Sequence, residues 1–276
     1  MADRNRIVIV IVLYKTSLEN SKTYTSLTKH IHLFKHEYSL IIYNNSSEIS
    51  IPEGYYTLIN ASENNKLTGA YNFALNFAET NLAEWLLLLD QDTEITDDYF
   101  NKLSACLSAN SITNDIVAIV PFLTENKRQI SPHNIFFFNN LVSKVKKPGV
   151  QHRHIIALNT LSLIRTEFIS KIGGFSTKYP LDMLDYWTYT QIHKHQMKIY
   201  VLNTYVEHSL SVSDFEKNMS VSRYADLVKA EKNLMSESGS LQLLVYKFKL
   251  IFRLIKQYML FKNKHFSQIT FKHIFR

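Results

Sequence analysis

The run Trp85-Leu86-Leu87-Leu88-Leu89-Asp90-Gln91-Asp92-Thr93 constrains this chain more than any other stretch. Four leucines in a row cannot alternate between core and water. The strand they predict needs cover on both faces, as central strands of parallel sheets have. The apolar run stops at two carboxylates one residue apart. In open α/β sheets ligands bind just beyond the carboxyl ends of such strands, which puts Asp90 and Asp92 where a ligand would sit. Hard divalent cations take carboxylate oxygens, and a cation there can bridge a diphosphate and offset the charge that develops as it departs. The plainer alternative is structural: a turn through Asp92 and Thr93 capping a helix that starts near Asp97-Asp98-Tyr99-Phe100.

Around that strand, apolar strand-like runs alternate with helical ones. Ile7–Leu13, Tyr38–Tyr43, Tyr55–Ile59 and Trp85–Asp90 read as strands, with helical patterns near Ser21–Phe34 and Gly69–Glu79 between them. Asp97–Ala109 then reads as a helix and Ile116–Pro121 as a strand. Between Phe122 and His154 the pattern breaks up, with Phe136-Phe137-Phe138 as a buried or edge strand. Strand-like Ile155–Ile164, a Gly173-Gly174 turn, a helix near Leu184–Gln196 and a strand at Lys198–Leu202 follow. Alternation of this kind predicts a doubly wound, mostly parallel α/β sheet with helices on both faces. The expected division is a main domain over 1–215, with halves at about 1–121 and 122–215, followed by a helical segment over 216–276.

Several enzyme types lack their groups. The six glycines form no GxGxxG and no Gly-Lys-Ser/Thr loop, so the phosphate cradles of dinucleotide-binding and P-loop proteins are missing. There is no Gly-x-Ser-x-Gly elbow and no His-Glu-x-x-His pair. An aspartyl phosphatase also places Asp-x-Asp after a strand, but that pattern wants Thr or Val two places after the second Asp, where Glu94 stands. The single Cys106 excludes an internal disulfide framework and fits a reducing compartment, with the cytoplasm as the default. Ile7–Leu13 is too short to span a bilayer and reads as a first strand.

The net charge of +7 is unevenly placed. From Gly239 onward there are Lys247, Lys249, Arg253, Lys256, Lys262, Lys264, Lys272 and Arg276 but no Asp or Glu, which leaves the rest of the chain slightly acidic. Leu, Ile, Phe, Tyr and Met interleave with these cations at helical spacing. A basic amphipathic helix of this kind suits the interface of an anionic membrane. The alternative is a last helix that packs its apolar face on the domain. Basic residues among aromatics also suit single-stranded nucleic acid, but confinement of the charge to the tail argues against that partner.

Taken in order, the motifs resemble family 2 glycosyltransferases of the GT-A fold, close to bacterial rhamnosyltransferases that build surface polysaccharide such as O-antigen. The resemblance rests on Val10–Tyr14 with Ile41–Ser47, on Asn64–Asn72, and on Leu89-Asp90-Gln91-Asp92-Thr93. It is completed by Ser162–Arg165, Ile172–Phe175, Leu181–Asp185 and Val206–Leu210. Together these span roughly residues 7 to 210.

The resemblance implies an inverting, metal-dependent transfer of a sugar, with dTDP-rhamnose as the expected donor, to a lipid-linked or polysaccharide acceptor. The expected place of work is the cytoplasmic face of the plasma membrane. Asp185 is then the catalytic base. Asp92 and His208 hold Mn²⁺ or Mg²⁺, while Asp90, Gln91, Tyr14, Asn44, Asn45, Asn64 and Asn72 contact the donor. Asp182 and Trp187 face the acceptor, and Arg223 and Lys229 are candidate diphosphate contacts. On the residues alone, Asp182 and Asp185 could instead cap and charge the start of the Leu184–Gln196 helix, and Trp187 could fill core. Asn44 or Tyr43 stands where many relatives have an Asp that reads the base. The rival readings are a noncatalytic binding protein working through its tail, and a phosphatase acting through Asp90. The phosphatase predicts loss of activity in Asp90→Asn but not in His208→Ala.

Overall fold

In a computed structural model of the chain, which describes residues 6–109, 112–136, 141–208 and 219–275, no residue of the first strand exceeds 6% exposure. Strand β1 (Ile7–Leu13) lies between β2 (Tyr38–Asn44) and β4 (Trp85–Asp90) and is parallel to both. Its odd-numbered side chains share one core with Leu27 of helix α1 (Lys22–His30) and with Tyr99, Phe100 and Leu103 of α3 (Asp97–Ser108). Its even-numbered side chains point to the opposite face, where α2 (Lys66–Thr80) packs on β1 and β4. The seven-residue apolar run therefore needs both layers of cover.

The main sheet runs β3-β2-β1-β4-β11-β5-β12-β9, with β6 paired to β5. Here β3 is Thr57–Asn60, β5 Ile116–Glu125, β6 Arg128–Ser131, β9 Gly149–Gln151, β11 Ser162–Arg165 and β12 Lys198–Glu207. Strand β11 is antiparallel to both β4 and β5. Because β12 is parallel to β5, the strands β1–β5 and β12 all point the same way. Their carboxyl ends share one sheet edge. A small second sheet orders β10 (Ile155–Ile156), β7 (His133–Phe136) and β8 (Leu141–Lys144).

Several elements differ from the sequence expectation. The apolar stretch Ile155–Ile164 divides into β10 and β11, because the chain turns between them through Leu161, whose φ is 59°. The strands expected at Ile116–Pro121 and Lys198–Leu202 continue to Glu125 and Glu207. Phe136 ends β7, and the rest of the expected aromatic strand, residues 137–138, lies outside the described residues.

Between β11 and β12 run α4 (Thr166–Lys171) and α5 (Leu184–Lys194). After β12 come α6 (Val221–Ser238), α7 (Ser240–Leu260) and α8 (His265–Phe275). The chain divides into two compact units. One is Met1–Ile135 with Val142–His208, and the other is Phe136–Leu141 with Ser209–Arg276. The second has its own core of Met219, Tyr224, Val228, Tyr246, Leu250, Phe266 and Ile274.

Candidate metal centre

Asp90 is the last residue of β4, and His208 directly follows β12, so both stand at the carboxyl edge of the sheet. Backbone pairing fixes His208, whose N–H donates to the Thr124 carbonyl at 2.8 Å and continues the β12–β5 ladder. The Asp90–Thr93 turn is held by the start of α1. The Ser21 hydroxyl donates to the Gln91 carbonyl at 2.9 Å, and the Thr23 hydroxyl accepts from the Thr93 N–H at 2.9 Å while facing the carbonyls of Asp90 and Thr93. The helix after the turn is capped by Thr96, whose side chain accepts from the Tyr99 N–H. Neither Asp90 nor Asp92 serves as that cap.

One ligand atom from each of Asp90, Asp92 and His208 lies within 4.8 Å of the others. Asp92 Oδ1 is 4.0 Å from His208 Nδ1. Two carboxylates and an imidazole make a donor set that a divalent metal cation can take. Burial pushes the Asp90 carboxyl up to about 6, and the Asp92 charge adds to the rise, while His208 and the Tyr71 hydroxyl pull it back. Crowded acid groups in a half-buried site are the electrostatics that a bound divalent cation relieves. The residues present therefore fit a metal.

Thr93 is fully buried, and its hydroxyl lies 2.9 Å from His208 Nδ1 and 3.0 Å from the Thr160 hydroxyl, so it fixes the imidazole. The isosteric change Thr93→Val should leave the fold intact and weaken Mn²⁺ binding about 10- to 100-fold. A calorimetric Mn²⁺ titration checks this; unchanged affinity would show that the Thr93 hydroxyl does not position His208 for the metal.

Tyr71, fully buried on α2, donates to Asp90 Oδ1 at 3.3 Å. Its hydroxyl is held far above the usual phenol range by burial first, then by the charges of Asp90 and Asp185. Asp185, in the first turn of α5, belongs to the same electrostatic cluster. Burial raises its carboxyl to about 6, the Tyr186 N–H that Oδ1 accepts at 2.8 Å lowers it, and Asp182 and Asp90 raise it further. Asp185 is not the N-cap of α5, a place taken by Met183 at φ 67°, but its carboxylate does satisfy one first-turn N–H of that helix.

The start of α2 brings these groups near one another. Its Leu67 and Thr68 N–H groups donate to the Pro180 carbonyl at 3.0 and 3.1 Å, and the Thr68 hydroxyl donates to the Tyr179 carbonyl at 2.9 Å. Asn72 clasps the Phe175 backbone in both directions, at 2.9 and 2.8 Å. Only glycine fits beside that clasp: at Gly174, φ is +84° and a Cβ would lie 2.8 Å from Asn72 Oδ1.

The expected donor contacts divide into two groups. Asn44 is fully buried, donates to the Ile49 carbonyl and to Asn60, and accepts from the Ser46 N–H. Asn45 accepts from the Asn65 N–H and donates to the Lys66 carbonyl, pinning the end of β2 to the start of α2. In the structure these two and Asn72 bond neighbouring backbone and side-chain groups. Asn64 is partly exposed and accepts from the Lys66 N–H at 3.0 Å. Gln91 accepts from the Tyr14 N–H at 2.7 Å, and the Tyr14 side chain beside it is 43% exposed.

On the expected acceptor side, Asp182 is partly exposed, whereas Trp187 is buried with its ring 6.5 Å from Tyr179. Arg165, the last residue of one motif, sits at the opposite sheet edge, paired with Glu84 and stacked over Trp85. Arg223 and Lys229 belong to α6 in the second unit.

No protein-family model matches the sequence, and no curated protein matches it. Among solved structures, the mannosyltransferase PcManGT from Pyrobaculum calidifontis, in complex with GDP-Man and Mn²⁺, superposes with a TM-score of 0.52 at 12% identity. The match covers 85% of this chain but 65% of that one, so this chain spans just under two thirds of that enzyme's length. The chain has the GT-A fold. A Drosophila β-1,4-galactosyltransferase 7 mutant, in complex with manganese, UDP-Gal and xylobiose, aligns over 72% of this chain and 66% of its own at 10% identity, with a TM-score of 0.45. The segment leading into the antiparallel β11 places Thr160, two residues ahead of that strand, beside the Thr93 hydroxyl.

Proposed function

We propose that this chain is an inverting, metal-dependent glycosyltransferase that takes its sugar from a nucleotide diphosphate donor. The observation that carries the proposal is the convergence of Asp90, Asp92 and His208 within 4.8 Å at the carboxyl edge of the sheet, with Asp185 in the same cluster. The fold shared with a GDP-Man- and Mn²⁺-bound mannosyltransferase supports it.

Asp90, Asp92 and His208 would hold a Mn²⁺ or Mg²⁺ ion, whose charge offsets that of the departing diphosphate. Asp185 takes the proton of the acceptor hydroxyl as that oxygen bonds to C1 of the sugar and the bond from C1 to the diphosphate oxygen breaks. A carboxyl raised to about 6 suits this step, being ionised at neutral pH yet a stronger base than an ordinary carboxylate. Tyr71 donates to Asp90 and keeps it oriented. Tyr14 and Gln91 border the donor position, with Asn64 nearby, and Asp182 borders the acceptor.

Within this reading we take dTDP-rhamnose as donor and a lipid-linked or growing surface polysaccharide as acceptor, at the cytoplasmic face of the bacterial membrane. The Leu89–Thr93 and Leu181–Asp185 motifs support that choice. The test is release of nucleoside diphosphate from UDP-, GDP- and dTDP-sugars by the purified chain with Mn²⁺. Turnover of one donor class, with dTDP-rhamnose preferred, is expected. Release from none by folded protein would overturn the proposal.

A further inference from the structure

Helix α7 is apolar on two opposite sides. Its inner side carries Tyr246, Leu250 and Gln257, buried against α6 and α8. Arg253 is committed on that side too, paired with Glu231 at 2.7 and 3.0 Å. At about 100° per residue, Leu244, Phe248, Ile251, Phe252, Ile255 and Met259 fall on the opposite side, centred about 160–180° from the buried residues. All six are exposed, Phe252 and Met259 at 73% each. A core that is already complete does not account for a stripe of this length.

The cations are placed with equal order. Lys247 lies along one flank of the stripe, and Lys249 and Lys256 lie along the other, by the same helical angle. Next to the stripe, α7 and α8 form a groove of about 760 Å³ lined by Leu254, Ile255, Tyr258, Met259, Phe271 and Lys272, among others. Phe271 and Phe275 continue the exposed apolar surface onto α8. Among the described residues, no helix is long and apolar enough to cross a membrane.

We propose that the α7–α8 surface docks in the plane of an anionic lipid bilayer, with the apolar stripe among the acyl chains and Lys247, Lys249 and Lys256 at the phosphates. Charge decides for lipid over a second copy of the chain. From Gly239 onward there is no acidic residue, so a symmetric pair of stripes would set lysines against lysines with no carboxylate to answer them. An anionic headgroup layer answers every one of them. The groove beside the stripe is open and apolar enough for acyl carbons to enter.

The test is flotation of the full chain with vesicles of phosphatidylcholine alone or mixed with phosphatidylglycerol, at low and high salt. Binding to the mixed vesicles, weakened by salt, is expected. The triple variant Phe248→Glu, Phe252→Glu, Ile255→Glu changes only exposed positions and should lose binding by more than about tenfold. Lys247→Gln with Lys249→Gln and Lys256→Gln should abolish the preference for phosphatidylglycerol. Wild-type chain that stays soluble with mixed vesicles, or a Glu variant that floats like wild type, overturns the proposal. A dimer in light scattering that the Glu variant dissociates, without vesicle binding, assigns the stripe to a second copy and also overturns it. Circular dichroism and nucleotide titration of the same variants show that they are folded, and they keep this outcome separate from the transferase reading.

Discussion

Asp185→Asn is expected to lower kcat by about 10²- to 10⁴-fold with little change in KM, because the base proposed for this position would act only as the new bond forms. Asn keeps the shape and one acceptor oxygen for the Tyr186 N–H, so α5 retains its local bond. The pH dependence follows from burial. With its carboxyl raised to about 6, Asp185 is protonated and inactive below that value, and wild-type turnover should climb tenfold per pH unit up to about 6 before levelling. The residual activity of the Asn variant should lack this limb.

Stability gives an independent readout with a definite sign. The folded-state pKa of Asp185 lies above its unfolded value, so the ionised form is the one that burial disfavours. Its destabilising contribution is absent in acid, where the group is protonated in both states, and is complete above about 6. Asp185→Asn should therefore raise Tm at neutral pH and leave it unchanged in acid. A lower Tm at neutral pH, together with unaltered kcat, would make Asp185 a helix-end residue and not a base.

Asp92→Ala is the second large effect. It removes a carboxylate from the set that converges with Asp90 and His208, and with it the charge that would hold a divalent cation against a diphosphate. Turnover should fall about 10²- to 10³-fold, the cost typical of deleting one electrostatic group at a developing charge. Thr93 and Thr160 do not depend on Asp92, so the His208 anchor and the fold should persist. A second expected consequence is that Asp90, relieved of its neighbour's charge, titrates closer to an ordinary carboxylate.

The strands with the strongest periodic signal were legible in the sequence. Continuous apolar runs at Ile7–Leu13 and Trp85–Leu89 require cover on both faces, and they end where the site begins. Asp90, Asp92 and His208 were also legible, because a carboxylate or imidazole at the end of a buried strand is out of keeping with the residues before it. Tyr71 was hidden. On α2 it falls among Ala70, Ala74 and Leu75 on the buried face, and nothing local distinguishes a tyrosine that fills the core from one whose hydroxyl reaches Asp90. The Thr23, Thr93 and Thr160 hydroxyls meet from three separate segments, so no spacing along the chain announces them.

The three asparagines have structural bonds that the sequence does not announce. Polar residues in the right motifs suggest a ligand, yet the ends of β2 and the flank of α2 need side-chain partners for backbone groups, and Asn44, Asn45 and Asn72 supply them. From sequence, β10 and β11 read as one strand, because the turn at Leu161 has no Gly or Pro to mark it.

Asp90, Asp92 and His208 are proposed to form a metal-dependent nucleotide site. Calorimetric titration of the full chain with UDP, dTDP and GDP, with and without Mn²⁺, beside Asp92→Ala, tests it most directly. Binding of one nucleotide that requires Mn²⁺ and disappears in the variant is the predicted result. Binding of none of the three, or binding that neither Mn²⁺ nor Asp92 affects, would contradict it.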